Sequence, residues 1–206
     1  MKKKLEFLIV LWVLLLSGSV VFNHFYNIMF LSFALLILVY TLTAGDSKMY
    51  IPYGPVCIIL MLIILGFIYN QDFSRSFSYS HLLIKILLIT TIPRILSFDQ
   101  YVDKFLRIMF FLSSSSLIIF ICVSFYRELI FLFPVLSSFG QALYYNLFLA
   151  VYHFPLHNSI ANSSVFWEPG AFQAFLNIAI AFELYFFKFK HKKRLIVFVL
   201  ALLSTF

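Results

Sequence analysis

Seven apolar runs, most of them near the length of a bilayer-spanning helix, follow one another along this chain with polar breaks between them. About 20 apolar residues cross a bilayer as a helix, because an open strand or coil would leave its backbone N–H and C=O groups unsatisfied in lipid. The runs are residues 5–22, 28–44, 56–69, 82–96, 105–125, 172–187 and 195–206, of which the third and fourth are short. The breaks carry turn and polar residues, such as Asn23-His24, Gly45-Asp46-Ser47 and the stretch from Gln71 to Arg75. The first run follows Lys2-Lys3-Lys4 and contains Ser17-Gly18-Ser19, as a signal peptide can. It continues through Val20-Val21-Phe22, and we read it as an uncleaved helix. The expected fold class is all-α, a polytopic transmembrane helix bundle of about seven spans.

Composition agrees, since 63% of residues are hydrophobic and 11% charged, whereas a soluble domain carries about 25% charge. A water-soluble globule is excluded. The formal charge of +7 would suggest a nucleic-acid partner in a soluble chain. Here the cations fall in short runs between apolar segments, where they act as topology signals and contacts for anionic membrane lipids. With a cytoplasmic N-terminus, the inner side holds Lys2, Lys3, Lys4, Lys48, Arg94, Lys104, Arg107, Lys188, Lys190, Lys192, Lys193 and Arg194. The outer side keeps Arg75, Lys85 and Arg127, a split that satisfies the positive-inside rule.

Three regions are expected: a five-span bundle over 1–125, a long extracytoplasmic loop over 126–169, and a further membrane region over 170–206. The last run supplies 12 residues, which as a helix reach about 18 Å into a hydrocarbon core of about 30 Å. A span truncated there is expected to belong to the N-terminal part of a longer protein. In the loop, 129–136 and 143–152 are apolar and aromatic enough to form helices lying on the membrane surface, with Tyr144, Tyr145 and Tyr152 at headgroup level.

Chemistry is suggested where that loop meets the sixth run, in Phe166-Trp167-Glu168-Pro169-Gly170-Ala171-Phe172. Pro-Gly opens a helix whose first N–H groups favour an anion, and Glu168 stands beside them. Gly170, Gln173, Asn177 and Ala181 follow at helical spacing, so small and polar groups share one face, expected to point into the bundle as a packing seam or a polar groove. Glu183 is expected to snorkel toward the basic run after Phe187.

Other features point to structure. His153 and His157 have a helical metal-ligand spacing, but Pro155 breaks it and no carboxylate or thiol cluster accompanies them; no metal and no soluble cofactor is expected. Cys57 and Cys122, inside apolar segments, read as small buried hydrophobes. Ser113 to Ser116 either line a cavity or bond back to their own helix.

The stretch from Val165 to Gln173, set after a long outer loop and before a span ending in basic residues, resembles the bacterial O-antigen polymerase and ligase family with its capsule and exopolysaccharide relatives. The specific likeness covers residues 158–206; the earlier spans match in hydropathy alone. Many members carry an arginine and then a glycine shortly before the phenylalanine, where this chain has Ala161-Asn162 and Ser164.

The resemblance implies a multi-pass protein of the bacterial inner membrane with a GT-C-like fold, acting on undecaprenyl diphosphate-linked oligosaccharide. Other polysaccharide-assembly membrane proteins would be its neighbours, with no nucleic-acid partner. It implies a polymerase joining repeat units into surface polysaccharide, with Glu168 in acceptor positioning or activation and Arg127, Trp167, Gln173 and Asn177 in sugar or lipid-head contacts. It further implies that family arginines and a histidine would follow Phe206. A ligase, a flippase for lipid-linked sugar and an inactive remnant are the other readings open to the sequence.

Overall fold

The computed structural model describes residues 2–20, 25–44, 95–137, 143–147, 149–154, 161–166 and 168–206, with isolated positions 57, 61, 64, 65, 68, 90, 92 and 93. The protein is mostly helical, with one small sheet. Helix α1 covers Lys2–Gly18, α2 Tyr26–Ala44, α3 Phe98–Phe125, α4 Pro169–Phe187 and α5 Lys192–Leu203. Each overlaps one of the apolar runs. The runs at 56–69 and 82–96 lie largely outside the described residues. Two described helices, α3 and α4, are long and apolar enough to cross a membrane, while the apolar part of α2, Ile28–Thr43, is shorter.

Local chemistry sets the helix ends. At the start of α3, Ser97 Oγ accepts from the Gln100 N–H at 3.4 Å and Gln100 Oε1 accepts from the Ser97 N–H at 3.2 Å, a capping box that satisfies two orphan donors. It starts the helix two turns before the apolar run, so Asp99, Asp103, Lys104 and Arg107 form a polar first section. Pro169 opens α4, where a missing N–H does no harm.

The α4–α5 connection is tight. The Lys190 N–H donates to the Phe187 carbonyl at 2.8 Å across Lys188 and Phe189, at φ 45° and 65°. This is the pattern of a type I′ turn, which Asn and Gly usually occupy; for other L-residues the left-handed region costs roughly 1–2 kcal/mol each.

α1 and α2 pair as an antiparallel hairpin pinned by Trp12, whose indole N–H donates to the Met29 carbonyl at 3.3 Å. Their inner faces, including Ile9, Val10, Leu14, Phe33 and Ile37, join one core with Leu106, Met109 and Leu112 of α3, Phe172 and Leu176 of α4, and Phe198 of α5.

The two ends of the bundle differ in charge. At one end Glu6 of α1 meets Lys104 of α3 at 3.1 Å, Phe98 rests edge-on against Phe182 and Phe186, and Glu183 of α4 meets Arg194 of α5 at 2.7 Å. Ten described Lys and Arg residues gather there, between Lys2 and Arg107 and between Lys188 and Arg194. At the opposite end Ser19 bridges to Phe166, and Arg127 is the sole cation among the described residues.

Beyond α3 the chain departs from the expected surface helices. A 3-10 turn, Arg127–Leu132, leads to an antiparallel sheet in the order β1 (Val135–Ser137), β2 (Leu143–Asn146), β3 (Val151–Phe154). Aromatic and β-branched residues favour a pleated surface, and Tyr145 pairs across the strands with Tyr152. A turn closed by the Leu147 N–H to the Ala150 carbonyl at 2.8 Å splits what periodicity alone reads as one helix.

The tyrosines are therefore not exposed anchors. Tyr144, Tyr145 and Tyr152 are all buried, and Tyr145 and Tyr152 join a small core with Val123 and Ile130. At 28 residues α3 is about 42 Å long, and its last turns carry this sheet.

Candidate functional site

Segment 161–166, Ala-Asn-Ser-Ser-Val-Phe, connects the sheet to α4 and touches nearly every element at the cation-poor end. Asn162 is 0% exposed. Its Nδ2 donates to Ser204 Oγ at 3.0 Å and Ser116 Oγ at 3.2 Å, while its Oδ1 accepts from the Ser164 N–H at 3.0 Å. The Asn162 backbone N–H donates to the Ser204 carbonyl at 2.9 Å. Ser163 Oγ donates to the Val151 carbonyl at 2.6 Å, the Val151 N–H donates to the Ser164 carbonyl at 2.8 Å, and the Val20 N–H donates to the Val165 carbonyl at 3.2 Å. One six-residue clasp thus ties α1, α3, α5 and β3 together.

Burial explains why these bonds are satisfied so fully, since each polar group here would otherwise lose its water without replacement. Ser164 takes φ 50°, a left-handed conformation, and its N–H donates back to Asn162 Oδ1. The serine run in α3 divides in two. Ser114 and Ser115 are not buried and bond back to the Phe110 and Phe111 carbonyls at 2.8 Å each, while Ser113 and Ser116 face the core. Ser113 Oγ has no hydrogen-bond partner among the described residues.

From the clasp the chain passes into the motif. Phe166, 0% exposed, stacks on Phe175 at 4.7 Å and Phe172 at 5.7 Å between centroids. These rings resemble a hydrophobic staple and fix the angle at which the chain enters α4. Glu168 follows as the N-cap residue, in extended geometry, its side chain making no capping bond.

The Glu168 carboxylate is partly exposed, and its Oε1 lies 3.7 Å from the position a Cβ on Gly170 would take, an ordinary contact distance. Gly170 is thus not required for space. Among the described residues Glu168 makes no ion pair, so its charge faces solvent and the positive end of the α4 dipole.

The other expected site residues are only partly assembled. Gln173 Nε2 donates to Thr205 Oγ1 at 2.9 Å, docking the end of α5 beside the start of α4. Asn177 is exposed, as are Gly170 and Ala181, so the expected inward face is turned outward. Phe172, Leu176, Ala179 and Glu183 form the buried face instead. Arg127 begins the 3-10 turn and is exposed. Trp167 lies outside the described residues.

Three further expectations are corrected or bounded. Glu183 does not snorkel; it is 0% exposed, held by Arg194 Nε at 2.7 Å and His191 Nδ1 at 3.0 Å. The Arg194 contact is an ion pair without hydrogen-bond alignment at Nε. His191 Nδ1 also approaches Arg194 Nη2 at 2.8 Å, and one ring nitrogen cannot serve both; we assign its N–H to the carboxylate, whose lone pairs see no water. Cys57 and Cys122 are exposed, on faces that no described element covers. His153 lies in strand β3 rather than on a helix, and His157 is outside the described residues.

The clasp was the part that sequence reasoning missed. Its signal was Asn162-Ser163-Ser164 directly before the motif, a polar run with no turn-forming glycine or proline. No known family, curated protein or solved structure matches this chain.

Proposed function

We propose that the chain is the membrane region of a glycosyltransferase that polymerises undecaprenyl diphosphate-linked oligosaccharide repeat units into surface polysaccharide at the outer face of a bacterial inner membrane. In this reading the apolar runs are seven spans and the cation-rich end is cytoplasmic. The observation that carries it is Glu168, a carboxylate without capping duty at the cation-poor end, in the short stretch of chain whose flanking rings, Phe166 and Phe172, stack on each other.

A saccharide hydroxyl approaching α4 there would attack the anomeric carbon of the lipid-linked donor. A C–O bond forms, the bond from that carbon to the diphosphate oxygen breaks, and the lipid diphosphate leaves with the electron pair. Glu168 takes the hydroxyl proton, and the first N–H groups of α4 favour the developing anion. Arg127 supplies positive charge at the same end.

Local geometry also supports the resemblance. Ser164, standing where many family members have glycine, adopts φ 50°, the region glycine occupies most readily. The family's arginine is replaced here by the neutral pair Ala161-Asn162, of which Asn162 is fully buried. A transporter reading needs a polar path along α4, and Asn177 faces outward.

The test is reconstitution with lipid-linked repeat units. A polymerase gives a ladder of glycan lengths, a ligase a single transfer product, and a flippase moves the lipid without a new glycosidic bond. Glu168→Gln should shorten or abolish the ladder while leaving the protein inserted. Unchanged glycan lengths would remove Glu168 from the site.

A further inference from the structure

The tight turn joining α4 to α5 carries an unusual pair of residues for its shape. Its two central positions, both at positive φ, hold Lys188 and Phe189 where small or amide side chains normally sit. A bulky residue at positive φ is a genuine outlier, and such strain clusters at places with a task. Phe189 is 57% exposed. The turn therefore presents a phenylalanine ring at its tip rather than hiding it.

Around that ring the charge is arranged outward. Lys188, Lys190, Lys192 and Lys193 are exposed, and no acidic side chain pairs with them among the described residues. Arg194 is the exception, drawn inward to the buried Glu183. Exposed Lys2, Lys3 and Lys4 lie at the same end of the bundle. Depth follows from helix length: 19 residues make α4 about 28 Å long, close to the hydrocarbon thickness of about 30 Å. With Glu168 at one border, the turn lies at the other.

We propose that the α4–α5 turn is a binding site for anionic phospholipid headgroups, with the lysines on phosphates and Phe189 in the layer where acyl chains begin. A soluble acidic peptide or nucleotide would match the charge but offer no apolar layer for the ring. The inference rests on the reading that α4 spans the bilayer.

The full chain in nanodiscs tests it with spin-labelled phosphatidylglycerol and phosphatidylcholine as probes. A juxtamembrane lysine near an anionic surface is worth about 1 kcal/mol, or about fivefold, so the four lysines together should give the parent a preference of at least about fivefold. Lys188→Gln, Lys190→Gln, Lys192→Gln and Lys193→Gln together should bring it close to parity. Phe189→Gly relieves the positive φ, so its detergent melting temperature should not fall, while the extra stability conferred by phosphatidylglycerol should shrink. Phe189→Trp should add emission that is blue-shifted and quenched by lipids brominated near the glycerol end.

Equal lipid preference in the parent and the lysine variant, or water-like emission from position 189, overturns the proposal. Ile178→Trp separates the two levels of failure. If that mid-helix probe is quenched by brominated lipid and position 189 is not, the headgroup site alone falls. If neither is quenched, α4 does not span.

Discussion

Replacing Asn162 by alanine removes three hydrogen bonds from a fully buried position, and the structure lets the loss be divided among its partners. Ser116 Oγ and Ser204 Oγ each keep a bond to a carbonyl of their own helix, at 3.2 Å to Ser113 and 2.7 Å to Ala201. They lose only an incoming donor, about 0.5–1.5 kcal/mol each. The Ser164 N–H has no other acceptor among the described residues and stays buried, which costs about 1–3 kcal/mol. Asn162→Ala should therefore destabilise the protein by about 4 kcal/mol, with bounds of about 2 and 6.

Asn162→Asp keeps the acceptor for Ser164 but turns both donors into oxygen lone pairs and buries a charge. Its loss should be at least as large at neutral pH and should lessen as pH falls, because the protonated acid can again donate. The assay is denaturation of the purified full chain by sodium dodecyl sulfate in mixed micelles, followed by circular dichroism. A cycle with Ser116→Ala should return a coupling of about 0.5–1.5 kcal/mol. If Asn162→Ala stays within about 0.5 kcal/mol of the parent, the range of an ordinary surface change, the clasp does not hold the elements together and the reasoning fails.

Other outcomes follow from the same structure. Arg194→Ala leaves the buried Glu183 facing His191 alone and should cost about 3–5 kcal/mol, whereas Glu183→Leu combined with Arg194→Met should lie near the parent; equal losses in that titration would contradict the burial argument. Burial pushes the Tyr152 phenol well above the usual value of about 10. The unfolded chain then ionises first, and stability should fall as pH rises past about 10, by about 1.4 kcal/mol per pH unit. Tyr152→Phe should lessen that decline and, by removing a buried hydroxyl with no partner among the described residues, raise stability near pH 7 by about 1 kcal/mol; an unchanged alkaline limb would refute it. In a background of Cys57→Ala and Cys122→Ala, Lys190→Cys and Arg127→Cys should react with an impermeant thiol reagent from opposite sides of the membrane, and reaction from one side would contradict the charge-segregated ends.

The helices were legible because their signals are local. Apolar length marked α3 and α4, and Glu168-Pro169 announces the start of α4, whereas the capping box of Ser97 and Gln100, which starts α3 two turns before its apolar run, went unread. The sheet was harder to read. Residues 143–152 have the composition of either an interfacial helix or two strands, and what decides is the pairing of Tyr145 with Tyr152 over the end of α3, a contact between residues on different elements. Glu168 could be singled out from its neighbours in sequence. The outward turn of Asn177 could not, because periodicity defines a face without saying which of two faces meets the core.

By itself the sequence determined that this chain is built of apolar helices with cations confined to particular segments, since backbone hydrogen bonding in a low-dielectric medium and the hydration of lysine and arginine act residue by residue. Tertiary structure alone decided which polar groups became internal. Asn162, Ser116 and Ser204 are distant in the chain and unremarkable singly, and Glu183 read as a side chain seeking water. Their roles depend on several helices ending at one level, where a buried donor must find its acceptor on another element or lose its hydrogen bond altogether.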